Sequence, residues 1–211
     1  MADPNFHKNV FINCPFDEDY RQLLLAVIFT VKRLGFIPRL TLEQANSGVT
    51  RITLILDLIE ASKYGIHDLS RLLAAEEGQP ARMNMPFELG IDFGCKKFRE
   101  EPWCDKRLLI LEKERYRYQA ALSDLSGSDI REHNDEPIRV TKAVRDWFVT
   151  EALNTGPSHT KIWYEFNDFT ADLEENLEAQ GHEPEDFGEV PISEVMAYMD
   201  RWFEARAEQG V

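Results

Sequence analysis

Cysteine is scarce in this chain, and the three present, Cys14, Cys95 and Cys104, form no Cys-x-x-Cys pair and are odd in number. That argues against a disulfide framework and against a thiolate zinc site. His7, His133, His159 and His182 have no spacing that would gather them with other ligands, so neither a metal nor a cofactor is expected. No window of about 18 apolar residues occurs, and no charged-then-apolar leader opens the chain, so a membrane span is not expected and the expected compartment is the cytoplasm. Basic residues are outnumbered, 24 against 38 acids, for a net charge of −14. Affinity for a phosphate polymer comes mainly from Lys and Arg, so a long DNA or RNA partner is excluded from the expectation, whereas one small nucleotide in one pocket is not. Internal repeats and low-complexity tracts are also missing.

What is present is an alternation of short β-prone runs and amphipathic helices. Residues 10–14, 36–40, 64–68, 107–112 and 129–133 read as strands, and Leu108-Leu109-Ile110-Leu111 is the continuous apolar run that parallel sheets bury on both faces. Between them, Leu23, Leu24, Val27, Ile28, Val31 and Leu34 form one helical stripe ending at Gly35, with Asp17 as a cap. Thr50 caps a second helix, with Ile52, Ile55, Leu56 and Ile59 as its stripe. Pro38 points to irregularity or an exposed edge in the second strand. Residues 116–125 read as a helix, and another starts at Pro137. The pattern predicts an α/β fold, a flavodoxin-like, doubly wound parallel sheet of about five strands with right-handed crossovers, over residues 1–155. Two further helices, with aromatic stripes through Ile162, Trp163, Phe166, Phe169, Leu173 and Leu177 and through Met199, Trp202 and Phe203, make a C-terminal extension over residues 156–211. It either covers the core or meets a partner protein. Gly181 ends the first of these helices, and Ser193 reads as the cap of the second.

The chemistry concentrates in Asn84-Met85-Pro86-Phe87-Glu88-Leu89-Gly90. Pro86 lacks the N–H that a first helical turn leaves unpaired, so a helix begins near Asn84, a good cap, and Glu88 falls about one turn in, where the dipole favours a carboxylate. Gly90 and Gly94 weaken that helix, which predicts a close approach to its backbone. In doubly wound sheets ligands bind beyond the carboxyl ends of the strands. Asn13, Cys14, Pro15, Phe16, Asp68 and Ser70 collect at that edge, together with the start of the Glu88 helix at Asn84 and Met85. The loop between residues 70 and 83 carries Glu76-Glu77-Gly78-Gln79-Pro80, with Arg71 and Arg82 at its flanks; another loop carries Asn46-Ser47-Gly48.

Val10-Phe11-Ile12-Asn13-Cys14-Pro15-Phe16 resembles the first strand and pocket loop of nucleoside 2-deoxyribosyltransferases, and Phe87-Glu88-Leu89-Gly90 with Phe93-Gly94-Cys95-Lys96-Lys97 resembles their glutamate helix. The likeness covers roughly residues 9 to 112. The chain is more loosely similar to TIR domains, which share the flavodoxin-like architecture and carry a catalytic glutamate on the corresponding helix. The resemblance implies cleavage of the bond between a sugar carbon and a base nitrogen in a small nucleoside, nucleotide or NAD, with Glu88 attacking C1′ and Asp68 holding the base or sugar. It also implies a homo-oligomer and, by analogy, an effector role in anti-phage defence. Two departures stand out. Met83-Asn84-Met85-Pro86 replaces the usual Gly and hydroxyl residue ahead of the glutamate, and Phe16 stands where a hydroxyl-bearing aromatic would orient the nucleophile.

An oxocarbenium-like state needs a carboxylate near C1′ and a second polar group near the leaving base, and Glu88 and Asp68 are a minimal set for it. Plainer roles compete: Glu88 as a first-turn acid, Asp68 as a loop cap, His67 as a satisfied core histidine, Cys14 as a small buried residue and Arg71 and Arg82 as solvated cations. The alternative function is a non-catalytic module that senses a nucleotide or drives assembly.

Overall fold

A computed structural model describes residues 3–43, 48–72, 82–120, 122–125 and 127–208. Five strands, β1 (Asn9–Asn13), β2 (Ile37–Arg39), β3 (Tyr64–Asp68), β4 (Arg107–Glu112) and β5 (Ile130–Glu132), form one all-parallel sheet in the order β2-β1-β3-β4-β5. This is the flavodoxin-like order, and β2, with Pro38, is an edge.

Strand alternation sorts side chains between two layers. Val10, Ile12, Tyr64, Ile66, Leu109 and Leu111 face α1 (Arg21–Arg33) and, further along the chain, the helix Pro137–Phe148. Phe11 faces α2 (Arg51–Glu60), and Ile110 packs with Met85 and Leu89 of α3 (Asn84–Phe98). With Pro137–Phe148 labelled α4, the terminal helices are α5 (His159–Ala179) and α6 (Ile192–Glu208). They lie on α1 and α4 rather than on the sheet itself. Phe29 of α1 is ringed by Phe166, Phe169, Trp202 and Phe203 at centroid separations of 4.9–5.6 Å. The aromatic stripes of the extension are therefore used inside the chain, in one cluster with β1, β3 and β4.

Several expectations need correction. Residues 116–125 are not one helix but two 3-10 turns, Arg117–Ala120 and Ser123–Leu125, entered through Tyr116 at φ 67°. Ser123 and Asp124 favour the second of these turns, and no α-helix lies between β4 and β5 in the chain among the described residues. In α2 the buried residues are Ile55, Leu58 and Ile59, while Ile52 and Leu56 are exposed. Asn84 is the first residue of α3 and caps nothing; Met83 precedes it, also without a side-chain cap bond. Ser193 lies inside α6, whose first turn is instead closed on the Pro191 carbonyl. Asn46, Ser47 and residues 76–80 lie outside the described residues.

Two glycines are explained by backbone. Gly35 ends α1 at φ 83°. At Gly65, in the middle of β3, an added Cβ would stand 2.4 Å from Asp92 Oδ2 and 2.9 Å from His67 Nε2, both locked in the interior. Gly90 and Gly94 differ: an added methyl group would meet open space at Gly90, and at Gly94 only the Phe98 ring at 3.9 Å. No described part of the chain makes the close approach predicted for them.

Candidate functional site

The carboxyl ends of β1 and β3 lie side by side, with Asn13 opposite His67. Two buried polar networks start there, one on each side of the sheet.

On the α1 side, Asp68 is fully buried and accepts four hydrogen bonds. Ser70 N donates at 2.8 Å and Ser70 Oγ at shorter range to Oδ1; Tyr20 Oη at 2.6 Å and His133 Nε2 at 2.9 Å serve Oδ2. Burial pushes this carboxyl up, but the bonds from His133, Ser70 and Tyr20 outweigh it and hold Asp68 below the ordinary aspartate value. His133 Nδ1 accepts the Asp135 amide at 3.0 Å, so Nε2 carries the proton. Ser70, His133 and Asp68 therefore do not form a nucleophilic triad: the nitrogen facing Ser70 Oγ, at 2.9 Å, is a donor and cannot take the serine proton. Tyr20 is held as the neutral phenol by burial and by the Asp68 charge. Removing that hydroxyl with Tyr20→Phe is expected to cost about 1.5–3 kcal/mol, the range for a bond to a charged group. Thermal melts should place the variant roughly 3–12 °C below wild type.

On the α3 side, Asn13 Nδ2 donates to Met85 O and to His67 Nδ1, both at 3.0 Å. His67 must then donate through Nε2, which meets Asp92 Oδ2 at 3.0 Å, and Lys106 Nζ closes the chain on Asp92 Oδ1 at 3.1 Å. Lys106 also donates to Ile59 O at 2.8 Å and to Ser62 O. The helix α3 is thereby tied to the sheet at Met85 and at Asp92, one turn to either side of Glu88 on the same inward face.

Glu88 differs from Asp92. It is 4% exposed and its carboxylate has no hydrogen bond or ion pair among the described residues, although Asp92, one turn on, has both. Burial raises its pKa to about 6, with the Arg51 charge opposing. Cys14 lies among these acids. Burial, then the charges of Asp68, Glu88 and Asp17, push its thiol well up, which removes it as a nucleophile.

The outer wall is Phe16, which lies under the Arg51 guanidinium at 5.5 Å. Beside it Asp17 accepts from Tyr20 N at 3.1 Å, and Arg71 and Arg82 clamp it at 2.9 and 3.1 Å; neither arginine is free for a phosphate. The tie to Arg71 holds Asp17 below the ordinary aspartate value against its partial burial. Phe16 and Asp17 also line a cavity of about 330 Å³ with Arg21, Leu42, Glu185 and Glu189.

The residues expected at the site are thus together at one edge, in unequal roles. Asn13 spends its amide nitrogen internally and Ser70 and Asp68 their side-chain oxygens, Cys14, Pro15 and Met85 are buried, and Phe16 and Asn84 reach the surface. Tyr20 and His133 join them without having been expected there. The readable signal for His133 is its position just past β5, on the same sheet edge as Asp68; Tyr20 follows Phe16 by four residues and gives its hydroxyl to Asp68. Among the described residues no group of three or more His, Cys, Asp or Glu could hold a metal ion, and no helix is long and apolar enough to cross a membrane. Comparison with protein-family models, with curated proteins and with solved structures gives no match.

Proposed function

We propose that this chain cleaves the N-glycosidic bond of a small nucleoside, nucleotide or NAD, with Glu88 as the nucleophile. The observation that carries the reading is the buried Glu88 carboxylate, without a partner among the described residues, at the carboxyl edge of a parallel sheet, on a helix whose other inward acid, Asp92, is held by His67 and Lys106. A structural acid at that depth would have a cation or donors; one kept bare is available to a reacting atom. Ionised Glu88 attacks C1′, the C1′–N bond breaks with its electron pair passing to the base nitrogen, and the base takes a proton from water. Water, or a second base, then displaces the carboxylate from C1′ and restores Glu88. Asp68 is ionised and saturated, so in this scheme it protonates nothing; it fixes Tyr20, Ser70 and His133 and so holds the sheet edge next to the Glu88 helix in place. A cytoplasmic setting and a role in nucleotide or NAD depletion during phage defence go with this reading, the second by analogy alone.

The test is chromatography with mass spectrometry on wild type and Glu88→Gln, each incubated with NAD, ribonucleosides, deoxyribonucleosides and their phosphates. Base released by wild type only is the expected result. The alternative is a nucleotide-sensing module. Under that reading the same compounds raise the melting temperature of both proteins and none is consumed.

A further inference from the structure

We infer that α3 is the self-association surface of this protein and that its occupant is α3 of a second copy. The exposed positions of α3 are Asn84, Phe87, Gly90, Phe93, Lys97 and Phe98. Phe87 is 61% exposed, Phe93 54% and Phe98 86%, and Met83 just before the helix is exposed as well. Met83, Phe87, Gly90, Gly94 and Phe98 recur at three-to-four spacing and so form one ridge along the solvent side. Beside it runs a cleft of about 480 Å³ walled by Leu89, Phe93, Leu108, Leu122 and Leu125, with two bases, Lys96 and Arg131, and two acids, Asp129 and Glu151, also lining it. It lies where the β4–β5 connection makes two 3-10 turns instead of a helix. Ridge and cleft sit on the same face, which is the self-complementary arrangement a two-fold dimer requires.

Size and charge both favour a second copy. An aromatic side chain offers roughly 150–250 Å², so these rings, Met83 and the cleft walls leave on the order of 600 Å² of apolar surface in water. That is at the top of the range for the largest patch on a monomer, about 300–600 Å², and close to the ~800 Å² per partner of a standard interface. The chain carries 38 acids and a net charge of −14, so an acidic face would repel its own symmetry mate. Both acids of α3, Glu88 and Asp92, are buried, and its exposed positions carry a single charge, Lys97. The glycines complete the picture: none of the described residues fills the space over Gly90, and an antiparallel crossing centred between Gly90 and Gly94 brings two backbones together with Phe87 of each copy against Phe98 of the other. The chemistry proposed for Glu88 plays no part in this association.

Light scattering on the eluting protein at micromolar concentration tests it, with Gly90→Glu and Phe98→Lys beside wild type. Gly90→Glu has open space within its own chain and replaces a poor helix former, so the monomer should melt no lower than wild type. It also sets two like charges face to face at the crossing. The expected result is a wild-type mass of two copies of the 24.5 kDa chain and a single-copy mass for both variants, with unchanged circular dichroism. A monomeric wild type, or variants that keep the wild-type mass, would overturn the proposal. So would a mass increase seen only when another protein is added, because the occupant would then not be a second copy.

Discussion

Under the proposed function, Glu88→Gln should melt above wild type at pH 8 and release base at least about 1,000-fold more slowly. The two effects have one cause. With a folded pKa of about 6 against 4.5 unfolded, Glu88 binds a proton more tightly in the native state. Below about pH 4.5 both states are protonated and the residue costs nothing; as pH rises through about 6 the native state must hold a bare buried charge, and stability is lost. The difference amounts to at most about 2 kcal/mol, which a neutral glutamine does not incur. For a chain of this length that is a rise in Tm of roughly 4–8 °C at pH 8, shrinking towards zero near pH 4. Differential scanning calorimetry of the two proteins at several pH values checks it. A glutamine variant less stable than wild type at every pH would mean that the carboxylate has a partner.

Lys106→Met has the opposite signature, a loss of about 3–5 kcal/mol with no requirement for any substrate. Lys106 and Asp92 are both fully buried, and the methionine leaves the Asp92 carboxylate with only His67 for company. It also leaves the Ile59 and Ser62 carbonyls without their ammonium donor. The Tm should fall by roughly 6–20 °C. Adding Asp92→Asn removes the stranded charge while keeping an acceptor for His67 Nε2, so the double variant should recover more than half of the loss. A double variant no better than the single one would show that the damage is packing and not charge. Because the same chain of bonds reaches Asn13 and Met85, the single variant should also loosen the first turn of α3, readable as faster amide exchange from residue 85 to 89.

These two carboxylates mark the limit of what the sequence discloses. The strands β3 and β4 and the helix α4 were legible to the residue, because period and composition change sharply at their ends. Placing Glu88 at the carboxyl edge needed only Pro86 and the β-α alternation. Glu88 and Asp92, however, are both acids one turn apart on the same face, and nothing local separates them. What does is Lys106, the residue before β4, which the parallel register of β3 and β4 brings beneath the sheet. The same non-local cause hid Tyr20 and His133, which meet at Asp68 from a 3-10 turn and from the end of β5. It also made the exposed Ile52 and Leu56 read as core, since periodicity reports an apolar stripe but not how wide a face its neighbour covers.

The most direct test of the central claim is the rate of base release as a function of pH for wild type and Glu88→Gln, using whichever compound the wild type consumes. A nucleophilic carboxylate with its pKa near 6 predicts a wild-type kcat/KM that rises about tenfold per pH unit below that value and levels off above it, with no release by the variant at any pH. Release by Glu88→Gln at the wild-type rate, or no consumption of any compound by the wild type, would contradict it.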